Sequence, residues 1–180
     1  MGNLIKNGQF DIPDAGDELQ RIGSDKSYMI SPWYLPVGGN VDVYNRKFGT
    51  GGHQAVDLNG DTKGGIGQEF TAETECDVSI TWYAGTNRHD ACKGKAPFRY
   101  VVHVLDNNGD EGVYVLLKGP GSNGGQVQKV IDDAEGDFTK NGPYTFKPKF
   151  QGSYKIEFIS DVQGDCGAVI TDVRVVQTPL

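Results

Sequence analysis

Cys76-Asp77-Val78-Ser79-Ile80-Thr81-Trp82-Tyr83-Ala84 is the stretch on which the fold turns. Val78, Ile80 and Trp82 alternate with Asp77, Ser79, Thr81 and Tyr83, a period of two that sends one row of side chains into a core and the other toward water or a ligand. Tyr154, Ile156 and Phe158 alternate with Lys155 and Glu157 in the same way. Phe98 to Leu105 and Val113 to Leu117 are apolar at both parities, which predicts central strands covered on both faces. Further strands are predicted at Val41 to Tyr44, Gln54 to Leu58, Ile66 to Phe70, Gln126 to Ile131, Tyr144 to Phe150 and Val169 to Val176. No stretch keeps a helical period. Ile12, Leu19 and Ile22 are interrupted by Pro13 and Gly16 and allow one short helical turn. Short strands punctuated by Gly, Asn and Asp describe an antiparallel sandwich or barrel, with Val78, Ile80, Trp82, Val102, Val104, Ile156, Phe158, Val173 and Val175 in one core.

Composition agrees. Gly supplies 26 of 180 residues, about twice the average usage, which favours a turn-rich chain over helical bundles and coiled coils. At this length one domain over residues 1–180 is expected, exposing about 8,500 Å² folded, which leaves room for a core without staples. The net charge of −7 opposes the sign needed to neutralise phosphates, so no nucleic acid is expected as a partner. Apolar runs are far too short for membrane insertion. No basic and then apolar segment opens the chain, so either it is cytosolic or a signal peptide has been removed. Lys6 stands where a myristoylation signal needs Ser or Thr.

Among the motifs, Asp57-Leu58-Asn59-Gly60-Asp61 and Asp106-Asn107-Asn108-Gly109-Asp110 share the form D-x-N-G-D. Neither has the sixth-position Gly and closing Glu of a calcium loop, and Asn-Gly between apolar runs predicts type I′ hairpin turns instead. His53, His89 and His103 are too scattered for a metal pattern. His103 falls in a strand, where a packed and hydrogen-bonded ring is expected. Asp132, Asp133, Glu135 and Asp137 form an acidic cluster that a glycosidase could use, although a solvated loop is the ordinary reading. Cys76, Cys92 and Cys166 leave either one disulfide with a spare thiol or three reduced thiols.

Asn3-Leu4-Ile5-Lys6-Asn7-Gly8-Gln9-Phe10-Asp11 resembles the opening of galactose-binding-domain-like jelly-roll modules. Trp33, Val41 to Tyr44, Gln54 to Gly60 and Ile66 to Phe70 follow in the order seen in the plant cell-wall family called domain of unknown function 642 and in bacterial choice-of-anchor surface domains. Cys166-Gly167-Ala168-Val169-Ile170-Thr171-Asp172-Val173 is similar to that family's C-G-P-x-I-D-x-V close, with Ala168 and Thr171 departing from it. The resemblance implies an all-β antiparallel jelly-roll sandwich and a non-catalytic, lectin-like module that binds a polysaccharide or glycoconjugate outside the cell or at its surface. It implies a Cys92–Cys166 disulfide with Cys76 free, and one structural calcium near Asp11 and Asp172, which the Thr171 departure weakens. Sugar recognition needs flat aromatic faces beside fixed polar groups, and Trp33, Tyr34, Tyr83, Asn87, Arg88 and His89 are the best local concentrations of these. An adhesion module binding another protein and a small jelly-roll hydrolase or lyase are the competing expectations.

Overall fold

The computed structural model describes residues 2–107, 112–121 and 123–180. Two antiparallel sheets face each other. The larger runs, in spatial order, through β1 (Leu19–Ile22), β2 (Val41–Tyr44), β3 (Ala55–Asp57), β13 (Val169–Pro179), β5 (Cys76–Gly85), β11 (Thr139–Phe146), β8 (Leu117–Lys118) and β9 (Gln126–Val127). The smaller runs β10 (Val130–Ala134), β6 (Phe98–Asp106), β12 (Gly152–Ser160) and β4 (Gly65–Ala72), with β7 (Val113–Tyr114) also beside β6. The accessible area of the whole chain, 8845 Å², agrees with the scaling expectation.

The period of two decides what lies between the sheets. All nine residues expected in the core are at most 1 % exposed and belong to one cluster. The Trp82 ring meets Phe158 of the facing sheet edge-on at 5.5 Å between centroids and stacks on Tyr144 at 5.5 Å. Its indole N–H donates to the Tyr100 hydroxyl at 2.8 Å, which donates to Asp132 at 2.6 Å, so the polar edge of a buried ring is satisfied inside the core. Burial and the hydrogen bond to Asp132 push the Tyr100 pKa far up. β6 is interior to its sheet, as its doubly apolar pattern predicts.

Several expectations need correction. Val113 to Leu117 is not a central strand: Val113 and Tyr114 pair at the edge of the smaller sheet, Leu117 joins the larger one, and Val113 is 66 % exposed. The run crosses between sheets, so its two parities face different surroundings. No helical turn forms within Ile12 to Ile22. Its end is β1, and a 3-10 helix follows at Ser24–Ile30. Gln126 to Ile131 splits into β9 and β10, while β11 begins earlier than expected and ends at Phe146.

Asn59-Gly60 does not make a type I′ hairpin. β3 pairs with β2 and β13, and β4 pairs with β12, so the segment crosses between sheets, and neither residue has positive φ. Asn59 donates instead to the carbonyls of Val162 (3.0 Å) and Gly164 (2.9 Å), and its backbone N–H donates to Asp57 at 2.8 Å. Asp57 and Asn59 are fully buried. Desolvation pushes the Asp57 carboxyl well above the ordinary range, and donors from Asn59, Asn87 and Gly167 offset this in part. In the second D-x-N-G-D segment, Asn108 to Asp110 lie outside the described residues.

Cys92 and Cys166 are bonded, with Cα atoms 5.7 Å apart, and Cys76 is a buried free thiol. The bond ties the loop after β5 to the segment entering β13.

Candidate functional site

Side chains of odd number on β4, β6 and β12 point away from the core. Register aligns them in rows across the smaller sheet: His103 opposite Glu157 opposite Gly67, Val101 opposite Ile159 opposite Gly65, and Leu105 opposite Lys155 opposite Glu69. Tyr34 lies over the Gly67 end of the first row. Its backbone exchanges hydrogen bonds with Gly67 (2.8 and 2.9 Å), and its ring occupies the place of a side chain there: a Cβ on Gly67 would stand 2.6 Å from Tyr34 Cζ. Tyr114 flanks the other end, edge-on to the His103 ring at 5.2 Å. Lys155 stands over the Tyr34 ring at 5.7 Å and Lys129 over the Tyr114 ring at 5.0 Å.

At the centre, Glu157 accepts hydrogen bonds from the Tyr34 hydroxyl on Oε2 (2.8 Å) and from His103 Nε2 on Oε1 (2.8 Å). Burial raises the Glu157 pKa, but the His103 and Tyr34 hydrogen bonds and the Lys155 charge outweigh it and hold the carboxyl below its ordinary value. Burial, with the bond to Glu157, pushes the Tyr34 phenol far up, so it stays a donor. An ionised carboxylate can only accept, so His103 carries a hydrogen on Nε2. His103 Nδ1 is the one buried side-chain N or O atom without a partner among the described residues. The arrangement therefore offers a fixed His103–Glu157 pair between two aromatic rings, beside ammonium groups.

The six residues expected to hold a ligand do not form one site. Trp33 is 2 % exposed, donates its indole N–H to the Asn7 carbonyl at 2.9 Å and packs on Phe10 and Phe158, so it closes the core and has no free face. Tyr34 is on the outer face of the smaller sheet. Tyr83 is half-buried on the opposite, outer side of the larger sheet, because it alternates with the inward Trp82. Asn87 is buried, donating to Asp57 at 2.5 Å and accepting the His89 N–H at 2.8 Å, a structural task inside the loop. Arg88 donates to the Gly49 carbonyl at 3.2 Å and lies over Phe138, and His89 pairs with Glu18 beside Tyr44 and Phe48. Tyr83 and the loop of Arg88 and His89 thus lie on the far side of the sandwich from Tyr34.

The acidic cluster is also divided. Asp132 and Asp133 are neighbours within β10 and face opposite ways, Asp132 to Tyr100 in the core and Asp133 to Arg99 at 2.9 and 3.1 Å outside. Two carboxyls so placed cannot flank one glycosidic bond.

Asp11 and Asp172 wall one pocket of about 310 Å³ between the N-terminal segment and β13. Asp172, however, accepts from Arg174 Nε (3.0 Å) and Asp11 is paired with His53 Nδ1 (2.9 Å). Nearby carbonyls are committed too: Gly8 to the Val173 N–H and Asn7 to Trp33. No group of three or more His, Cys, Asp or Glu side chains with metal-holding geometry occurs among the described residues. The donor set does not match the six to eight oxygens of a calcium cage.

His103, Glu157 and Tyr114 were not singled out as ligand contacts by sequence reading. The one available signal was parity, since His103 and Glu157 sit at outward positions of strands whose other outward residues are largely apolar or exposed.

No family model and no curated protein matches the chain. Among solved structures, a family 61 carbohydrate-binding module in complex with β-1,4-galactotriose is similar at a TM-score of 0.56 and 13 % identity, over 99 % of this chain and 100 % of that one. The CBM22-1 xylan-binding domain of Paenibacillus barcinonensis Xyn10C is similar at 0.52 and 14 %, over 92 % and 97 %. A cyclase from Fischerella sp. TAU, in complex with 4-(1H-indol-3-yl)butan-2-one, is similar at 0.61 and 16 %, over 99 % and 98 %. At such identities the likeness concerns the fold, and with the two antiparallel sheets it makes this chain an all-β antiparallel jelly-roll β-sandwich.

Proposed function

We propose that this protein is a non-catalytic carbohydrate-binding module that holds a glycan against the outer face of its smaller sheet, between Tyr34 and Tyr114. The carrying observation is the outer face itself, where the Tyr34 and Tyr114 rings flank the His103–Glu157 pair and the Lys155 and Lys129 ammonium groups beside them can donate to sugar hydroxyls. Sugars present such hydroxyls at the rim of an apolar C–H face, which the two flanking tyrosine rings suit. That structural neighbours include sugar-binding modules supports this reading, as does the split of the Asp132 and Asp133 carboxyls to opposite faces. The cyclase neighbour gives a catalytic reading a comparable fold, but Asp132 and Asp133 do not supply it with a pair of carboxyls placed for hydrolysis.

A site outside the cell or at its surface follows from the same reading, supported by the disulfide, since such bonds persist in oxidising compartments. The likeness of the opening and closing segments to domain of unknown function 642 and choice-of-anchor domains would place it among wall or surface modules. A calcium at Asp11 and Asp172 is supported by their shared pocket and opposed by Arg174 and His53, which already hydrogen-bond them.

A glycan array followed by titration calorimetry tests the proposal. Tyr114→Ala, at an edge position, should leave the melting temperature within a few degrees and weaken the best array ligand about tenfold, or ~1.4 kcal/mol. Unchanged affinity in Tyr114→Ala, or an array without hits, would overturn it.

A further inference from the structure

A groove of about 960 Å³ opens at one end of the sandwich, where β6 and β11 end and β5 and β12 begin. Its size is at the upper end of that of small-ligand sites. Tyr114, Leu116 and Phe146 give it apolar walls, and Lys118, Lys147 and Lys149 project along it. These three lysines are exposed and make no ion pair among the described residues, although the chain carries seven more acids than bases. Asp77 and Asp106 also line the groove, so among the described residues cations outnumber anions there by three to two.

In a chain of this net charge, three uncommitted ammonium groups around one groove form a local field opposite in sign to the whole. Lys129, over the Tyr114 ring, adds a fourth cation at the rim. Tyr114 belongs both to the groove and to the flank of His103, so the groove continues the face on which the glycan is proposed to lie. From this continuity and charge we infer that the groove takes an acidic polysaccharide, its uronate carboxylates meeting Lys118, Lys147 and Lys149 while sugar C–H faces lie on Tyr114 and Leu116. The inference rests on the glycan-binding reading and narrows its ligand class. A peptide rich in acids could satisfy the charges as well, but continuity with the Tyr34–Tyr114 face favours a sugar chain.

The probes are alginate oligosaccharides, neutral xylan and galactan oligosaccharides, and poly-glutamate, titrated at low and physiological salt against wild type and the triple variant Lys118→Ala/Lys147→Ala/Lys149→Ala. The expected result is alginate binding that weakens as salt rises and falls at least tenfold in the triple variant, with an unchanged melting temperature and any neutral-glycan affinity retained. Binding of neutral oligosaccharides without alginate would overturn the acidic-ligand inference and leave the glycan-binding face standing. Alginate bound equally by wild type and triple variant would remove the groove as the site. Poly-glutamate bound in preference to alginate would make the occupant a protein. Failure of every sugar to bind would sink the inference together with the reading beneath it.

Discussion

Gly67→Ala puts the contact between Tyr34 and the smaller sheet to a direct test. In most strands this exchange is mildly stabilising, by about 0.5 to 1 kcal/mol, because alanine loses less backbone entropy. Here the new methyl group would stand 2.6 Å from Cζ, 2.7 Å from the hydroxyl oxygen and 2.8 Å from Cε2 of Tyr34, well inside contact distance. The ring must swing off the sheet, which breaks the 2.8 Å hydrogen bond to Glu157. A hydrogen bond to a charged group contributes about 1.5 to 3 kcal/mol, so the net effect is a loss of about 1.5 kcal/mol, or roughly 3 to 6 °C in melting temperature. In a Tyr34→Ala background there is no ring to displace, and Gly67→Ala should again stabilise by about 0.5 kcal/mol. Urea unfolding of the four proteins in this double-mutant cycle gives the coupling, expected near ~2 kcal/mol. Equal stabilisation by Gly67→Ala in both backgrounds would refute the argument, because it would mean that the tyrosine ring does not rest on the glycine.

Replacing Cys92 and Cys166 by Ser opens a loop of 74 residues in sequence separation and should lower stability by about 4 kcal/mol, seen as a fall in melting temperature of roughly 8 to 16 °C by calorimetry. Asn87→Ala removes a donor from the fully buried Asp57 and should cost about 2 kcal/mol in denaturant unfolding, whereas Arg88→Ala next to it should stay within about 0.5 kcal/mol. The Glu157 carboxyl is held below its ordinary pKa of 4.5 in the folded chain, so the unfolded chain takes up its proton first as pH falls. Its contribution is complete above the unfolded pKa and is lost as pH drops through the folded value, so the stability gap between wild type and Glu157→Gln should be flat at neutral pH and shrink below about pH 4.5. A gap that widens on acidification would reverse the sign of that pKa shift.

Strand parity explains what the sequence disclosed. Trp82 and Tyr83 are adjacent in a strand with unbroken alternation, and their opposite placements follow from counting by two. Trp33 belongs to no strand, so parity says nothing of it. It was grouped with Tyr34 as a sugar platform, yet one ring closes the core and the other lies outside. The Asn59-Gly60 segment shows a second limit: a hairpin signal is local, but whether the following strand pairs with its predecessor or crosses to the other sheet depends on partners far along the chain. Tyr34 and Glu157 are 123 residues apart, and His103 and Glu157 are 54 apart. No spacing rule reaches across such distances, so the centre of the proposed face became visible only when register aligned β6, β12 and β4. The resemblance of the closing segment carried the Cys92–Cys166 pairing, which counting three cysteines left open.

The backbone bridge between Tyr34 and Gly67 also bears on how this protein stays apart from its own copies. β4 is the outermost strand of the smaller sheet and, at eight residues, long enough to template another chain. Its open side is occupied at Gly67, which exchanges two backbone hydrogen bonds with Tyr34, while the inward Gln68 amide both donates to and accepts from the Lys6 backbone at 2.8 Å on the core side of the strand. A free edge of this kind invites strand addition and aggregation, and here the segment around Tyr34 stoppers it. Tyr34, whose ring is proposed to meet the ligand, is by its main chain part of that stopper, so loosening the Trp33–Leu35 segment would expose the sheet to edge-to-edge polymerisation as well as dismantle the proposed binding face.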